Sequence, residues 1–243
     1  MKKIYLNTII ALADGLTQGE FIDCLLAQAI DIAGIEYRYE MFSKEADKRQ
    51  REILSFLETG KLKNWDHLLS VPDHLFTSEG LSPKLESYLQ VASQLGAHRI
   101  KLTVGDLDGI PKTSKQVLDQ LVEQYQVAIN IENDQTKENG SYQVIAEALA
   151  RINEIGLPIS YTFDAGNYAV VKEDAAQAFE QLNAATSIFH VKNIDQAGQA
   201  TLLNDGVMVW QDYLGLDIPY VLEYPMAMSE LENELTIFKE AFY

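Results

Sequence analysis

The sequence predicts a (β/α)8 TIM barrel, the α/β fold in which eight parallel strands alternate with eight helices. Three observations lead to this prediction. Strand-like apolar runs alternate with helical segments about eight times along the 243 residues. Several strands carry polar residues at alternate positions, which suits the lining of a closed barrel. No glycine-rich phosphate loop follows an early strand, so a doubly wound open sheet is the less favoured alternative.

The first half of the chain contains four predicted units, each a strand followed by a helix. Thr17 and Glu20 have the spacing of a capping box, and they predict a first helix that ends at Gly34. Apolar positions place a second helix between Ser43 and Gly60. The four strands are predicted at 4–9, 35–40, 68–71 and 98–104.

The third helix of this half has the clearest start signal. Ser82-Pro83 is the favoured order of a cap followed by proline, and it predicts a helix that stops at Gly96. A loop around Pro72 and His74 is predicted between the third strand and this helix.

The second half repeats the plan. Thr113 or Ser114 is predicted to start the fourth helix, and the segment 202–214 has a weaker helical pattern than the others. No linker or low-complexity tract interrupts the series, so we interpret 1–243 as a single barrel domain. Strands are predicted at 127–132, 157–164, 187–192 and 218–223, and helices at 141–155, 173–182 and 228–242.

The composition argues against several classes of function. The formal net charge is -17, and such a surface repels phosphate backbones, so we expect no nucleic-acid partner. No segment approaches the roughly 18 apolar residues of a membrane span, so no membrane partner is expected either. The single cysteine, Cys24, cannot form an intrachain disulfide and fits a cytoplasmic location.

Four strand-like runs each end in a residue that can bind a divalent cation, namely Glu132, Asp164, His190 and Glu223. The carboxyl ends of barrel strands converge on one mouth, so we expect these side chains to share a site. Carboxylates with one imidazole suit Mn²⁺, Mg²⁺, Co²⁺ or Zn²⁺ and leave positions for substrate oxygens. Glu132 and Glu223, the first and last of the set, are predicted to act also as acid and base.

Other polar residues are candidates for binding substrate at that mouth. Glu36, Arg38, Lys101 and Lys192 occupy alternate positions of predicted strands. They could bind hydroxyl, carboxylate or phosphate groups, or they could form ion pairs inside the barrel, and both interpretations stay open. His74 follows the third strand, where a residue of the mouth is expected.

At its four strand ends the chain resembles the xylose-isomerase-like superfamily of TIM-barrel sugar and sugar-phosphate isomerases and epimerases. The intervals between the four residues, 32, 26 and 33, are similar to those of the epimerase branch. The resemblance covers essentially the whole chain. The motifs that carry it are Ile131-Glu132-Asn133, Phe163-Asp164-Ala165-Gly166-Asn167, Phe189-His190-Val191-Lys192-Asn193 and Leu222-Glu223-Tyr224.

This resemblance implies one divalent metal ion bound by Glu132, Asp164, His190 and Glu223. It also implies a carbohydrate substrate, whose proton Glu132 and Glu223 would transfer through an enediolate. Members of the superfamily are often dimers or tetramers, which leaves a homo-oligomer open. The abasic-site endonuclease branch is disfavoured, because its three-zinc site needs more histidines than the four in this chain.

Two positions depart from the family pattern. The family usually has His three residues after the aspartate, where this chain has Asn167, and Asp after His-x-Lys, where it has Asn193. Asn167 can hydrogen-bond a substrate hydroxyl but cannot take a proton. Two alternatives to an isomerase therefore stay open: a dehydratase or lyase acting on a sugar-derived or cyclic acid, and a catalytically inactive binding barrel.

Overall fold

The computed structural model describes residues 3–110 and 114–242. Eight parallel strands form a closed ring, in which consecutive strands pair from β1 to β8 and β8 pairs with β1. The predicted (β/α)8 barrel is therefore confirmed. The strands are β1 Ile4–Asn7, β2 Gly34–Arg38, β3 Asp66–Thr77, β4 Ala97–Gly105, β5 Ala128–Glu132, β6 Ile159–Asp164, β7 Thr186–Val191 and β8 Tyr220–Leu222.

Helices pack around the outside of this ring. Two short helices, Lys137–Gly140 and Ala165–Val170, precede the longer helices after β5 and β6. None of the helices that the structure describes has the length and apolar character that crossing a membrane requires. The longer helices are α1 Gln18–Ala27, α2 Ala46–Lys63, α3 Leu85–Leu95, α4 Ser114–Tyr125, α5 Tyr142–Ile155, α6 Ala175–Leu182 and α7 Leu231–Glu240.

Several predicted helix ends are confirmed by their caps. Thr17 and Glu20 form the predicted capping box at the start of α1. Gly96 ends α3 in the left-handed conformation, as expected of a helix-terminating glycine. The Ser141 side chain accepts a hydrogen bond from the Val144 backbone at the start of α5. Of the two predicted starts of α4, Ser114 is its first described residue, and Thr113 lies outside the described residues.

Two glycines predicted to end helices serve close packing instead. Helix α1 ends at Ala27 rather than at Gly34, which opens β2. A Cβ on Gly34 would lie 2.3 Å from the Asp66 carbonyl oxygen, so this glycine lets two strands approach. Helix α2 continues through Gly60, where a Cβ would lie 2.0 Å from His67 Nε2. Glycine is therefore required at both positions for close contact rather than for helix termination.

The chain between β3 and α3 also differs from the prediction. The expected loop around Pro72 and His74 is instead a continuation of β3, with a register shift against β4 between Ser70 and His74. A bulge of this kind keeps the strand paired and turns His74 toward the barrel mouth. The prediction of a loop was wrong because proline is tolerated at such an irregularity.

The connection from β7 to β8 contains no α-helix, and every residue of this connection is described. Asn193–Ile194 pairs with Ala200–Thr201 in a small antiparallel hairpin, and a 3-10 helix forms at Trp210–Tyr213. The prediction of a helix from the weak pattern at 202–214 is therefore wrong. Trp210 and Tyr213 are buried against the barrel, so tertiary packing explains the apolar positions of this segment.

The barrel interior has an apolar layer and polar layers. Tyr5, Leu68, Ile188 and Val221 form a small buried cluster separate from the main core, which lies between strands and helices. Ile188 lies two residues before His190, and Val221 two before Glu223. Alternate residues of a strand face the same side, so the sequence that builds this cluster also turns those two polar side chains into the barrel.

Candidate metal centre

Glu132, Asp164, His190 and Glu223 converge at the carboxyl ends of four consecutive strands. Glu132 and Asp164 are the last residues of β5 and β6, His190 is the last but one of β7, and Glu223 directly follows β8. One potential ligand atom from each lies within 4.8 Å of those of the other three, and all four residues are buried. The four predicted ligands are thus brought together.

The donor atoms of this cluster suit a divalent cation. His190 Nδ1 lies 2.8 Å from a Glu132 oxygen, 3.0 Å from a Glu223 oxygen and 4.0 Å from Asp164 Oδ2. Yet His190 Nδ1, Glu132 Oε1 and Asp164 Oδ2 are buried and make no aligned hydrogen bond with any described residue. They lie in ion-pair contact with one another or with Lys192, and a divalent cation bound between them would be contacted by all three.

The His190 ring is oriented by a carboxylate on its far side. Nε2 lies 3.1 Å from Glu36 Oε2, and Asn7 Nδ2 donates to Glu36 Oε1 at 2.6 Å. A carboxylate on one ring nitrogen fixes the proton there and leaves the other nitrogen to bind a metal. Burial lowers the His190 pKa, but Glu36 and Glu223 raise it more, and the net pKa is well above the usual value.

Asp164 is positioned by Asn133, the neighbour of Glu132. Asn133 Nδ2 donates to the Asp164 carbonyl oxygen at 2.8 Å, and Asn133 Oδ1 accepts from the Asp164 backbone nitrogen at 3.0 Å. Asp164 Oδ1 accepts from the Asn167 backbone nitrogen at 2.8 Å, which caps the short helix after β6. One oxygen is thus engaged in the cap, and the other, Oδ2, faces the cluster.

Two buried lysines and one arginine balance the carboxylates. Lys101 Nζ pairs with Glu132 and lies 3.1 Å from Glu223 Oε1, while Lys192 Nζ lies 2.7 Å from Asp164 Oδ2. Arg38 Nη1 lies 3.4 Å from Glu223 Oε1. Burial lowers the pKa of each lysine, but the neighbouring carboxylates outweigh it and the net pKa values are raised.

The three carboxylates of the cluster fall into two groups by the direction in which their pKa is shifted. Burial raises the pKa of Glu132 and of Glu223, but Lys101 and His190 outweigh it, so both net pKa values are lowered, that of Glu223 strongly. For Asp164, burial and the two glutamates outweigh Lys192, and the pKa is raised to about 6. The two glutamates are therefore ionised at neutral pH.

Glu132 and Glu223 of this cluster line a cavity of about 660 Å³ at the barrel mouth. This volume is in the range of sites that hold small metabolites. Of the residues predicted to bind substrate, all but Glu36 line the cavity, namely Arg38, His74, Lys101, Asn167 and Lys192. Glu36 instead lies behind His190, as described above.

The cavity wall also contains residues that sequence reasoning missed. Thr103 Oγ1 lies 2.6 Å from His74 Nδ1, and Asp134 and Thr136 line the wall above Glu132. Thr103 shares the alternating face of β4 with Lys101, so strand parity was the signal that could have identified it. The hairpin after β7 contributes Gly198, Gln199 and Ala200, which no sequence pattern identified.

The two departures from the family pattern differ in their surroundings. Asn167 Nδ2 donates to the Asn133 carbonyl oxygen at 2.7 Å, while its buried Oδ1 has no partner among the described residues. Asn193 Nδ2 donates to the Leu203 and Met208 carbonyl oxygens at 2.7 and 3.0 Å. Asn193 therefore organises the loop before β8 and does not line the cavity.

Comparisons with known proteins support the fold. No protein-family model matches the sequence, and no curated protein does either. Among solved structures, a xylose isomerase domain-containing protein from Salmonella typhimurium LT2 is 16% identical, with coverage of 100% of this chain and 98% of its own and a TM-score of 0.72. The probable 3-DHS dehydratase AsbF from Bacillus anthracis is also 16% identical, with 98% of both chains covered and a TM-score of 0.71.

A third structure contains a metal. The IolI protein, solved with a bound zinc atom, is 13% identical, with 100% of this chain and 96% of its own covered and a TM-score of 0.71. Sugar 3-epimerases also share the fold. These structures are xylose-isomerase-like TIM barrels, and the likeness shows that this chain has their fold.

Proposed function

We propose that the protein is a divalent-metal-dependent isomerase or epimerase of a sugar or sugar phosphate. The observation that carries the proposal is the buried four-residue cluster beside the mouth cavity, in which one potential ligand atom of each residue lies within 4.8 Å of those of the other three. Glu132, Asp164, His190 and Glu223 would hold the metal. When bound, the metal would polarise the substrate carbonyl group and acidify the adjacent C–H bond.

Glu132 and Glu223 are the residues that would move the proton. Both carboxylates have lowered pKa values and are ionised at neutral pH, so either can remove a proton from the carbon beside the carbonyl group. This produces a planar enediolate. Return of a proton to the opposite face, by the other glutamate after it takes one from solvent, gives an epimer. Return of the proton to the neighbouring carbon, with transfer of the hydroxyl proton to the former carbonyl oxygen, gives an isomer.

Other residues of the wall would bind and orient the substrate. Lys101 bridges the two glutamates and keeps them ionised, and Lys192 and Arg38 offer further N–H donors at the cavity surface. Asn167 Oδ1, which lacks a partner among the described residues, can accept from a substrate hydroxyl group. His74, whose Nδ1 lies 2.6 Å from Thr103 Oγ1, would contact another part of the substrate. Sugar epimerases of the same fold support this choice of substrate.

The proposal is tested by proton exchange at carbon. The protein is incubated with Mn²⁺ and individual ketopentoses and ketohexoses in D₂O, and deuterium incorporation is followed by NMR. We expect exchange with at least one sugar, loss of exchange by at least about 100-fold in Glu132→Gln, and none of this loss in Glu154→Gln, an exposed helix residue. An active Glu132→Gln protein would overturn the mechanism.

A dehydratase is the second candidate, since the probable dehydratase AsbF shares the fold. The same base would remove the proton, and His74 in the cavity wall would protonate the departing hydroxyl group. Deuterium exchange without loss of water argues against this candidate. An inactive binding barrel would be favoured instead if the purified protein bound no divalent metal.

A further inference from the structure

His74 and Thr103 form a close polar pair on neighbouring strands of the mouth cavity. His74 Nδ1 lies 2.6 Å from Thr103 Oγ1, and both residues line the cavity. Thr103 of β4 pairs in register with His74 of β3 on one side and with Glu132 of β5 on the other. Adjacent strands lie about 4.8 Å apart, so the His74 and Glu132 backbones are separated by about 10 Å. A substrate whose reacting carbon lies beside Glu132 would therefore meet His74 through another of its groups.

The hydrogen bonds of Thr103 fix which nitrogen of the His74 ring carries a proton. Thr103 Oγ1 donates to the Asp73 carbonyl oxygen at 3.3 Å, and a carbonyl oxygen can only accept. A hydroxyl group has one proton, so its second contact, with His74, needs a proton on Nδ1. In the neutral ring Nε2 then carries a lone pair. His74 is exposed and its Nε2 has no partner in the described part of the chain, so this acceptor is open to a bound molecule.

The charges of the cavity wall favour an uncharged group against this acceptor. Asp73, beside His74 in sequence, is a further carboxylate of the wall and engages the exposed Lys84. A phosphate group brings up to about two negative charges and oxygens that act as acceptors, so it would meet the Nε2 lone pair without a free cation. A hydroxyl group can donate to Nε2. Among the described residues that line the cavity, the lysine and arginine side chains are each paired with a carboxylate, namely Arg38, Lys101 and Lys192.

We propose that Thr103 is a positioning residue that fixes His74 as a hydrogen-bond acceptor, and that His74 Nε2 selects substrates with a hydroxyl group at this position. The inference rests on the proposed function and narrows its substrate to an uncharged sugar. A polar group built to pair with a substrate hydroxyl group discriminates against analogues without that donor, because it is then left unpaired. Thr103 acts on the substrate through His74.

The tautomer is measured without substrate, by long-range ¹H–¹⁵N NMR of the imidazole rings in alkaline buffer, which favours neutral rings. The His74 signals are those that are lost in His74→Gln. We expect a protonated Nδ1 and an unprotonated Nε2 in the unmodified protein. Thr103→Val, which keeps the side-chain shape but removes the hydroxyl group, should show a mixture of both tautomers. A proton on Nε2 in the unmodified protein, or a tautomer that does not change in Thr103→Val, would overturn the inference.

Two further variants separate this role from a general effect on the fold. Thr103→Ser keeps the hydroxyl group and should keep the proton on Nδ1. Thr236→Val, at an exposed position of α7, should leave the tautomer unchanged. Unchanged signals from the other three of the four histidines show that each variant is folded.

The choice of substrate is tested by deuterium exchange in D₂O with Mn²⁺, in which each ketopentose and ketohexose is compared with its terminal phosphate ester. We expect exchange with the free sugar to be at least about tenfold faster. Thr103→Val should raise KM for the free sugar about threefold or more with little change in kcat. Faster exchange with the ester would overturn the choice of an uncharged substrate. Absence of exchange with every sugar would overturn the proposed function and this choice together, but not the tautomer.

Discussion

His190 Nε2 lies 3.1 Å from Glu36 Oε2, on the side of the imidazole ring opposite to the carboxylates of the candidate metal centre. Glu36 is in turn held by Asn7 at 2.6 Å. This arrangement gives Glu36, which the sequence suggested as a substrate-binding residue, a different position in the structure. It lies behind the candidate ligand His190, through a contact between β2 and β7.

Replacing Glu36 by Gln should weaken metal binding without unfolding the protein. The amide keeps a similar shape but removes the charge that orients the His190 ring and makes Nδ1 more basic. We expect the affinity for Zn²⁺ to fall by about 10- to 100-fold. Isothermal titration calorimetry measures it, with the exposed Glu58→Gln on α2 as the matched control. Equal affinities for the two variants would contradict this role.

Metal affinity should rise with pH. Burial lowers the pKa of His190, but Glu36 and Glu223 raise it by more than burial lowers it. The metal-free protein therefore favours the cationic imidazole, with a proton on both ring nitrogens. Asp164, with a pKa of about 6, adds a second protonated ligand in acid. A metal must displace these protons, so binding weakens as pH falls.

Titrations at about pH 6 and about pH 8 measure this dependence. Buffers with different ionisation enthalpies count the protons released at each pH. We expect tighter binding and fewer released protons at the higher pH. An affinity that does not change between the two values would show that neither ligand is protonated in the free protein.

Lys101→Met should destabilise the metal-free protein and increase the stabilisation that a bound metal ion provides. Lys101 pairs with Glu132 and Glu223, and breaking a buried ion pair leaves uncompensated charge at a cost of about 3–5 kcal/mol. A bound divalent cation would restore the missing positive charge. Urea unfolding with and without Zn²⁺ should therefore show a larger stabilisation by metal in the variant than in the unmodified protein.

The control for this prediction is Lys115→Met. Lys115 pairs with Asp119 on the surface of α4, and removing such a pair costs about 0.5 kcal/mol or less. A Lys101→Met protein as stable as this control would mean that the buried ion pairs contribute no net stability.

Asn193→Asp introduces the residue that the xylose-isomerase-like superfamily usually has at the matching position and should destabilise the loop before β8. An ionised aspartate cannot donate to the Leu203 and Met208 carbonyl oxygens, so two hydrogen bonds are lost, at a cost of about 1–3 kcal/mol each. Thermal unfolding measures the loss. Metal stoichiometry should stay unchanged, since Asn193 does not line the mouth cavity, and reduced metal content would contradict this assignment.

The sequence predicted the barrel and the convergence of its four strand ends because both depend on local patterns. Strand parity turns Glu132 and His190 inward, and closure of parallel strands brings their ends together. The capping box at Thr17 and the glycine at Gly96 were likewise predictable, since each acts within a few residues of sequence.

What could not be predicted depends on contacts between distant segments. Gly34 and Gly60 looked like helix ends, but their role is to make room for Asp66 and His67. Glu36 was predicted to bind substrate because strand alternation showed that it faces the barrel interior. The alternation does not show that Glu36 lies behind the His190 ring. The hairpin after β7 gave no periodic signal, although Gln199 on it lines the cavity.

The measurement that tests the central claim most directly is anomalous diffraction from crystals soaked with Zn²⁺. We predict one zinc ion per chain at the barrel mouth, with Glu132, Asp164, His190 and Glu223 each contributing an atom at about 2.0–2.2 Å. Elemental analysis of the same protein should give one ion per chain. No anomalous peak between these four residues, or a peak held by other side chains, would contradict the account.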